Sequence, residues 1–169
     1  QMISDRIVVY TDGSCWPTRN GPGGHAAILV LGDGDEIEVV GGAASTTNNR
    51  MELQALISAM QSIEKPASLE VYSDSQYVVK GAGSWLRGKP KDAAGWMVNW
   101  NRSRWRNGLK ERTNSDLWKA LYSECLRHNE VDLNWVRGHA GNLLNERCDQ
   151  LCLEQRLLHT SASDCTQGV

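Results

Sequence analysis

The sequence predicts an α/β domain built on a five-stranded mixed sheet flanked by helices. Three observations predict it. A β-branched run that ends in an acid, Arg-Ile-Val-Val-Tyr-Thr-Asp, opens the readable pattern at residues 6–12. Two more strand-like runs follow, joined by Gly32-Asp33-Gly34-Asp35, the composition of a hairpin turn. Beyond them helical spacing alternates with short strands to the end, the pattern of parallel strands linked by crossover helices.

Residues 6–11 are the first strand, followed by a loop rich in Gly and Pro. Residues 25–31 and 36–41 complete a three-stranded meander. Asn48 or Asn49 opens a helix with Leu53, Leu56, Ile57 and Met60 at helical spacing. Residues 69–72 are a short strand, and 75–84 a helix. Residues 85–95 read as a loop, because Pro90 and two glycines break both periods. Helices are expected over 96–106 and 115–127, a fifth strand over 131–136, and a last helix with Leu144, Cys148, Leu151 and Cys152 on one face. Residues 1–159 are expected to form a single domain and residues 160–169, aperiodic Ser, Thr and Gly, a disordered tail.

Composition narrows the function classes. The formal net charge is −2, so overall charge points to no polyanionic partner. Its distribution does: residues 80–112 carry nine Lys or Arg against Asp92 and Glu111, threaded with Trp85, Trp96, Trp100 and Trp105. A solvated helical face is the plain reading of such a run; the interleaved tryptophans turn it toward a phosphate-binding surface. No apolar stretch is long enough to span a bilayer, and the start lacks a basic-then-apolar leader, so a cytoplasmic protein is expected. Five cysteines without Cys-x-x-Cys spacing read as reduced thiols, Cys148 and Cys152 as small buried hydrophobes.

Four acids carry the chemistry: Asp12, Glu52, Asp74 and Asp149. Each has a structural alternative. Asp12 could serve an Asp-Gly turn. Glu52 could close a capping box with Asn49. Asp74 could be a dipole-favoured acid on a helix capped by Ser73 and Gln76. Asp149 could be a solvated helix charge. Taken together they fit something else. Parallel first and fourth strands bring Asp12 and Asp74 to one sheet edge, where α/β folds place ligands. Glu52 and Asp149 stand at the margins of buried helix faces, able to lean over that edge. Crowded carboxylates repel unless cations hold them, and hard divalent ions take oxygen donors.

Tyr-Thr-Asp-Gly-Ser, Thr-Asn-Asn-Arg-Met-Glu-Leu, Ser-Asp-Ser-Gln-Tyr-Val and Val-Arg-Gly-His-Ala-Gly with Asn-Glu-Arg-Cys-Asp resemble, in order, the signature segments of bacterial-type ribonuclease H, type 1. The resemblance spans residues 6–155 and implies the ribonuclease H-like fold, with sheet order 3-2-1-4-5. It implies hydrolysis of the RNA strand of RNA·DNA hybrids with two Mg²⁺ ions, Mn²⁺ substituting, held by Asp12, Glu52, Asp74 and Asp149. Two ions about 4 Å apart activate the attacking water and stabilise the leaving oxygen. Such cleavage leaves a 5′-phosphate and a 3′-hydroxyl. His139 matches a mobile histidine that assists proton transfer or product release, an auxiliary role suited to an imidazole.

The same resemblance assigns substrate contacts. Asn48, Asn49 and Gln76 match minor-groove contacts, and side-chain amides suit a 2′-hydroxyl that donates and accepts. Thr47 and Arg50 are candidates for backbone contacts. Trp96 and Trp100 with Arg102, Arg104 and Arg106 resemble a basic protrusion that grips the DNA strand, although the two tryptophans, four apart, also suit core packing. The partner implied is the hybrid duplex, bound by a monomer, with no membrane. Residues 85–95 look like an insertion, from which Arg87, Lys89 and Lys91 could extend the grip. Residues 15–22 do not align with the family's loop, so Asn20 is not carried over. Two rivals stand beside the nuclease: a non-catalytic hybrid-binding module, and a DNA-processing nuclease on the same fold.

Overall fold

Which segments pair, and at which end, decides where the acids arrive. The computed structural model describes residues 6–16, 20–138 and 141–160, with residues 92–94 described by their backbone alone. In chain order the elements are β1 (Arg6–Cys15), β2 (Gly23–Val30), β3 (Glu36–Ala43), α1 (Asn48–Gln61), β4 (Ser68–Ser73) and α2 (Gln76–Ala82). They continue with β5 (Gly83–Leu86), β6 (Lys89–Ala94), α3 (Trp96–Arg102), β7 (Arg106–Asn107), β8 (Lys110–Glu111), α4 (Ser115–Arg127), β9 (Glu130–Trp135) and α5 (Leu143–Leu158). The main sheet runs β3-β2-β1-β4-β9-β5-β6. Its first five members are the expected strands in the expected order. β1, β4 and β9 are parallel, and β1 to β3 form the antiparallel meander.

The sheet has seven strands among the described residues, not five, because residues 85–95 are not a loop. β5 and β6 form a hairpin in which Leu86 pairs with Lys89 across Arg87 (φ 52°) and Gly88 (φ 74°). Two residues at positive φ make the turn whose twist suits flanking strands. Pro90 falls on the outermost strand of the sheet, where a missing N–H is tolerated. β5 runs antiparallel to β9 with Leu86 opposite Glu130, and the Arg87 amide donates to the Asn129 carbonyl at 2.7 Å. The hairpin tip therefore lies at the amino end of β9, the end of the sheet away from Asp12 and Asp74. Lys91 ion-pairs with Glu130 and Asp132 at 3.4 and 3.5 Å. Arg87, Lys89 and Lys91, expected to extend the substrate grip, thus belong to a hairpin at the far end of the sheet from the acids, with Lys91 committed to acids of β9.

Helix ends depart from expectation for local reasons. Thr47 caps α1, its Oγ1 accepting from the Arg50 amide at 3.2 Å, so Asn49 and Glu52 form no capping box. Ser75 caps α2 through Val78 N at 3.2 Å, whereas the Ser73 hydroxyl accepts from Ser75 N. α3 stops at Arg102, four residues short of expectation, because Arg104 (φ 57°) and Trp105 (φ 62°) turn left-handed and send the Trp105 ring into the core. The short β7–β8 hairpin follows.

The main core lies between the sheet and α1 with α4. Val9, Leu29, Leu53, Leu56, Leu69, Val71, Trp118 and Leu121 are buried in one cluster there. Each such aliphatic side chain contributes about 1.5–3 kcal/mol relative to exposure. α5 covers the opposite face of β1, β2 and β3. It buries Cys148 and Cys152 as small apolar groups, and burial pushes the Cys148 thiol up to about 12. Thr160, the first residue of the expected tail, is tied to α5 by its hydroxyl, which donates to the Arg156 carbonyl at 2.8 Å. Residues 161–169 lie outside the described residues. Among the described residues no helix is long and apolar enough to cross a membrane.

Candidate active site

Register delivers the first two acids together. Thr11 of β1 lies opposite Ser73 of β4, so Asp12 and Asp74 follow at the carboxyl ends of adjacent parallel strands. Glu52 comes from the first turns of α1. Its arrival needs a residue without a side chain on β1: a Cβ on Gly13 would stand 2.4 Å from the Glu52 backbone nitrogen. The Gly13 amide then donates to Asp12 Oδ1 and to Glu52 Oε1, both at 2.9 Å. One carboxylate oxygen from each of Asp12, Glu52 and Asp74 lies within 4.8 Å of the others.

The electrostatics are those of a site built for a cation. Asp12 is 7% exposed and Glu52 8%. Burial first, and the neighbouring Asp74 charge second, push the Asp12 carboxyl up to about 7. Burial and then Asp12 raise Glu52 well above the ordinary carboxylate range. Glu52 Oε2 is buried with no hydrogen-bond partner. An orphaned oxygen beside two like charges fits a divalent metal and suits little else. Asp149, half-buried on α5, stands outside the tight trio, yet its charge is near enough to raise Asp12. His139 lies outside the described residues.

The end of β9 and the residues just after it brace Asp74, which sequence reasoning missed. Trp135, 48% exposed, donates its indole N–H to the Asp74 carbonyl at 3.1 Å. Val136 N donates to the Ser73 carbonyl at 2.9 Å. A Cβ on Gly138 would come within 2.8 Å of Asp74 Oδ2, so a bare backbone lets this strand end lie against the acid.

The expected substrate residues divide into groups. Thr47, Asn48 and Asn49 are exposed beside the acids, with Asn48 Oδ1 accepting from Cys15 N at 2.7 Å. Arg50 is engaged: its guanidinium grips Asp116 in a fork at 2.8 and 3.0 Å and reaches Asn114 Oδ1 at 3.2 Å. Gln76 is exposed at the start of α2, lining a hollow of about 260 Å³ with Val79, Lys80 and Trp135. The structure separates the roles of the two tryptophans. Trp100 packs edge-on against buried Trp118, ring centres 5.1 Å apart, with Arg112 over its face at 4.8 Å. Trp96 stays 43% exposed. Both line a cleft of about 320 Å³ with Tyr77, Lys110 and Arg112. Arg102, Arg104 and Arg106 are exposed, and Arg106 donates to the Leu109 carbonyl across the β7–β8 turn.

An antiparallel meander continued by parallel strands, with three acids converging at one edge, defines the class: an α/β domain whose acidic edge fits a divalent cation. Comparison with known proteins narrows it. Residues 4–156 match the model of the RNase H family. The chain is 45% identical over 149 residues to a ribonuclease H of Phenylobacterium zucineum (strain HLK1), covering 88% of this chain and 89% of that relative. It is 43% identical over 153 residues to ribonuclease HI of Caulobacter vibrioides, covering 90% and 93%. Among solved structures it is similar to LC9-RNase H1, a type 1 RNase H with the type 2 active-site motif, with TM-score 0.75, 28% identity and 96% and 77% coverage. LC11-RNase H1 in complex with an RNA/DNA hybrid shares the fold at TM-score 0.57 and 20% identity, with 90% and 97% coverage. The chain belongs to the RNase H family. It is an endonuclease that cuts RNA in RNA·DNA hybrids, and its family is metal-dependent.

Proposed function

We propose that residues 1–159 form a single ribonuclease H domain that cuts the RNA strand with two Mg²⁺ ions, Mn²⁺ substituting, held by Asp12, Glu52, Asp74 and Asp149. The observation that carries the reading is the convergence of three carboxylates within 4.8 Å, two of them buried and one with an orphaned oxygen. When bound, the ions supply a water nucleophile at neutral pH and charge stabilisation for the leaving 3′-oxygen. The chain's residues do the rest. Gly13 N fixes Asp12 and Glu52, and the Trp135 indole fixes the backbone of Asp74, so the oxygens are set before substrate arrives. His139 moves a proton or speeds product release, so its loss costs less than that of Asp12.

Asn48, Asn49 and Gln76 read the 2′-hydroxyls of the RNA strand, with Thr47 and Arg50 supporting its backbone. Trp96, Trp100, Arg102, Arg104 and Arg106 hold the DNA strand, Trp96 by its open face and the arginines by charge. The enzyme acts as a cytoplasmic monomer on the hybrid duplex.

The test is cleavage of a labelled RNA·DNA hybrid beside single-stranded RNA, RNA duplex and DNA duplex, each with Mg²⁺, Mn²⁺ or chelator. Cutting of the hybrid's RNA strand alone, with either ion and not with chelator, is expected. Cutting of duplex DNA, or cutting that survives chelation, overturns the reading.

A further inference from the structure

The strand that carries Asp12 continues for three more residues, and its two faces differ. Side chains alternate along a strand, so Asp12 and Ser14 share a face while Gly13 looks toward α1. The shared face is the one α5 covers. Along α5, Asp149, Cys152 and Arg156 are spaced i, i+3 and i+7 and fall on one side of the helix. The seam between β1 and α5 therefore places Asp149 near Asp12 and, further along, Arg156 at Ser14. Arg156 Nη1 donates to Ser14 Oγ at 3.1 Å.

Like Arg112 over Trp100, Arg156 is held by a ring rather than by an acid. Its guanidinium lies over the Trp16 ring, 5.0 Å from the centroid, and its Nε is buried with no hydrogen-bond partner. Arg6, Arg50, Arg127 and Arg147 all sit in ion pairs with acids, and Arg156 sits in none among the described residues. On the other flank of the same strand end, Cys15 N is joined to Asn48. The end of β1 thus runs between an amide proposed to read a 2′-hydroxyl and a stacked cation with no ion-pair partner among the described residues.

We infer that Arg156 binds the RNA strand, taking the phosphodiester next to the one held over Asp12. Ser14 lies two residue steps along β1 from Asp12, about 7 Å. That displacement is of the order of one backbone step of an extended nucleic-acid strand. A planar guanidinium already stacked on an aromatic ring loses little freedom on meeting a phosphate, and its fork matches phosphate oxygens. The chemistry selects a phosphodiester rather than a base, because the donors stand beside the acids that hold the scissile strand. This inference rests on the proposed hybrid-cutting site.

The test is a salt series on the full chain. kcat/KM for hybrid cleavage and, separately, hybrid binding by fluorescence anisotropy are measured from 50 to 200 mM salt for the parent, Arg156→Gln and Arg156→Lys. Arg156→Gln is expected to raise KM about fivefold and to make the log–log salt slope shallower by about 0.7–0.9, one phosphate contact. Arg156→Lys is expected to keep the parental slope. Arg156→Met, which keeps a stem against Trp16, replaces the Gln variant if that chain unfolds. Unchanged slope and KM in the neutral variants, with lowered melting temperature, would reduce Arg156 to a brace for Trp16 and overturn the inference. If the parent fails to cut hybrid, the functional reading falls, and the binding slopes still decide whether Arg156 meets a phosphate.

Discussion

At the amino ends of β1, β4 and β9, Glu70, Glu130 and Asp132 face Arg6 and Lys91; at the carboxyl ends of β1 and β4, Asp12 and Asp74 face each other and Glu52. One end matches its acids with cations and hydrogen bonds. A hydrogen bond from Tyr72 and the Arg6 guanidinium hold Glu70 below the ordinary range, and Arg6 does the same for Glu130. The other end crowds and buries its acids, and both Asp12 and Glu52 are raised. Acids of the same strands thus serve stability at one end and chemistry at the other. What separates them is the company each keeps.

The largest expected effect breaks the crowded end. Asp12→Asn should lower hybrid cleavage by about a thousandfold or more, as removal of transition-state charge stabilisation does. In chelator it should melt at or above the parental temperature, since one buried like charge is gone. The parent's rise in melting temperature with Mg²⁺ should shrink with it. Calorimetry with and without Mg²⁺ checks both; a chain that unfolds would return Asp12 to the role of a turn residue.

A smaller effect is expected one layer out. Trp135→Phe keeps the ring and removes the N–H that meets the Asp74 carbonyl. It should raise the metal concentration for half-maximal activity about tenfold, as loss of a supporting hydrogen bond around a metal ligand does. Metal titrations of the cleavage rate read this directly, and an unchanged midpoint would show that Asp74 holds its place without the indole.

The matched end should respond in stability alone. Arg6→Gln is expected to cost about 1 kcal/mol, or about 2–4 °C in melting temperature, because the network is partly exposed. Hybrid cleavage should stay parental. The pH dependence sharpens the contrast. Glu70 and Glu130 titrate lower in the folded chain than unfolded, so the unfolded chain binds more protons between those values. Their stabilisation is present above the unfolded value of about 4.3 and fades as pH falls through the folded values. Arg6→Gln should flatten that acid limb of the stability curve, and urea midpoints across the range would reveal it.

Much of the site was legible because strand ends announce themselves: Asp12 and Asp74 each close an apolar strand pattern, and parallel pairing does the rest. Glu52 was legible from its place before Leu53 and Leu56. Its capping alternative fell only when Thr47 took the cap. The hairpin at 83–94 was not legible, since Gly88 and Pro90 break a period in sequence yet suit a turn and an outer strand in space. Nor could spacing show that Arg87 and Lys89 end up far from the acids, because that depends on the direction of β5 against β9. Arg156 stood seven residues after Asp149, a visible spacing. Its meaning needed Ser14 and Trp16 on the other side of the seam.

The same hairpin settles how the sheet ends. A bare β9 would offer its backbone to any passing strand, and adding β5 and β6 only moves that invitation outward. The new rim, however, begins Lys89-Pro90-Lys91. Proline withdraws a donor where an incoming chain would seek one, and exposed Lys89 beside it makes a like-charged neighbour unwelcome. The chain thereby enlarges its sheet while discouraging the edge-to-edge stacking through which β-rich proteins aggregate.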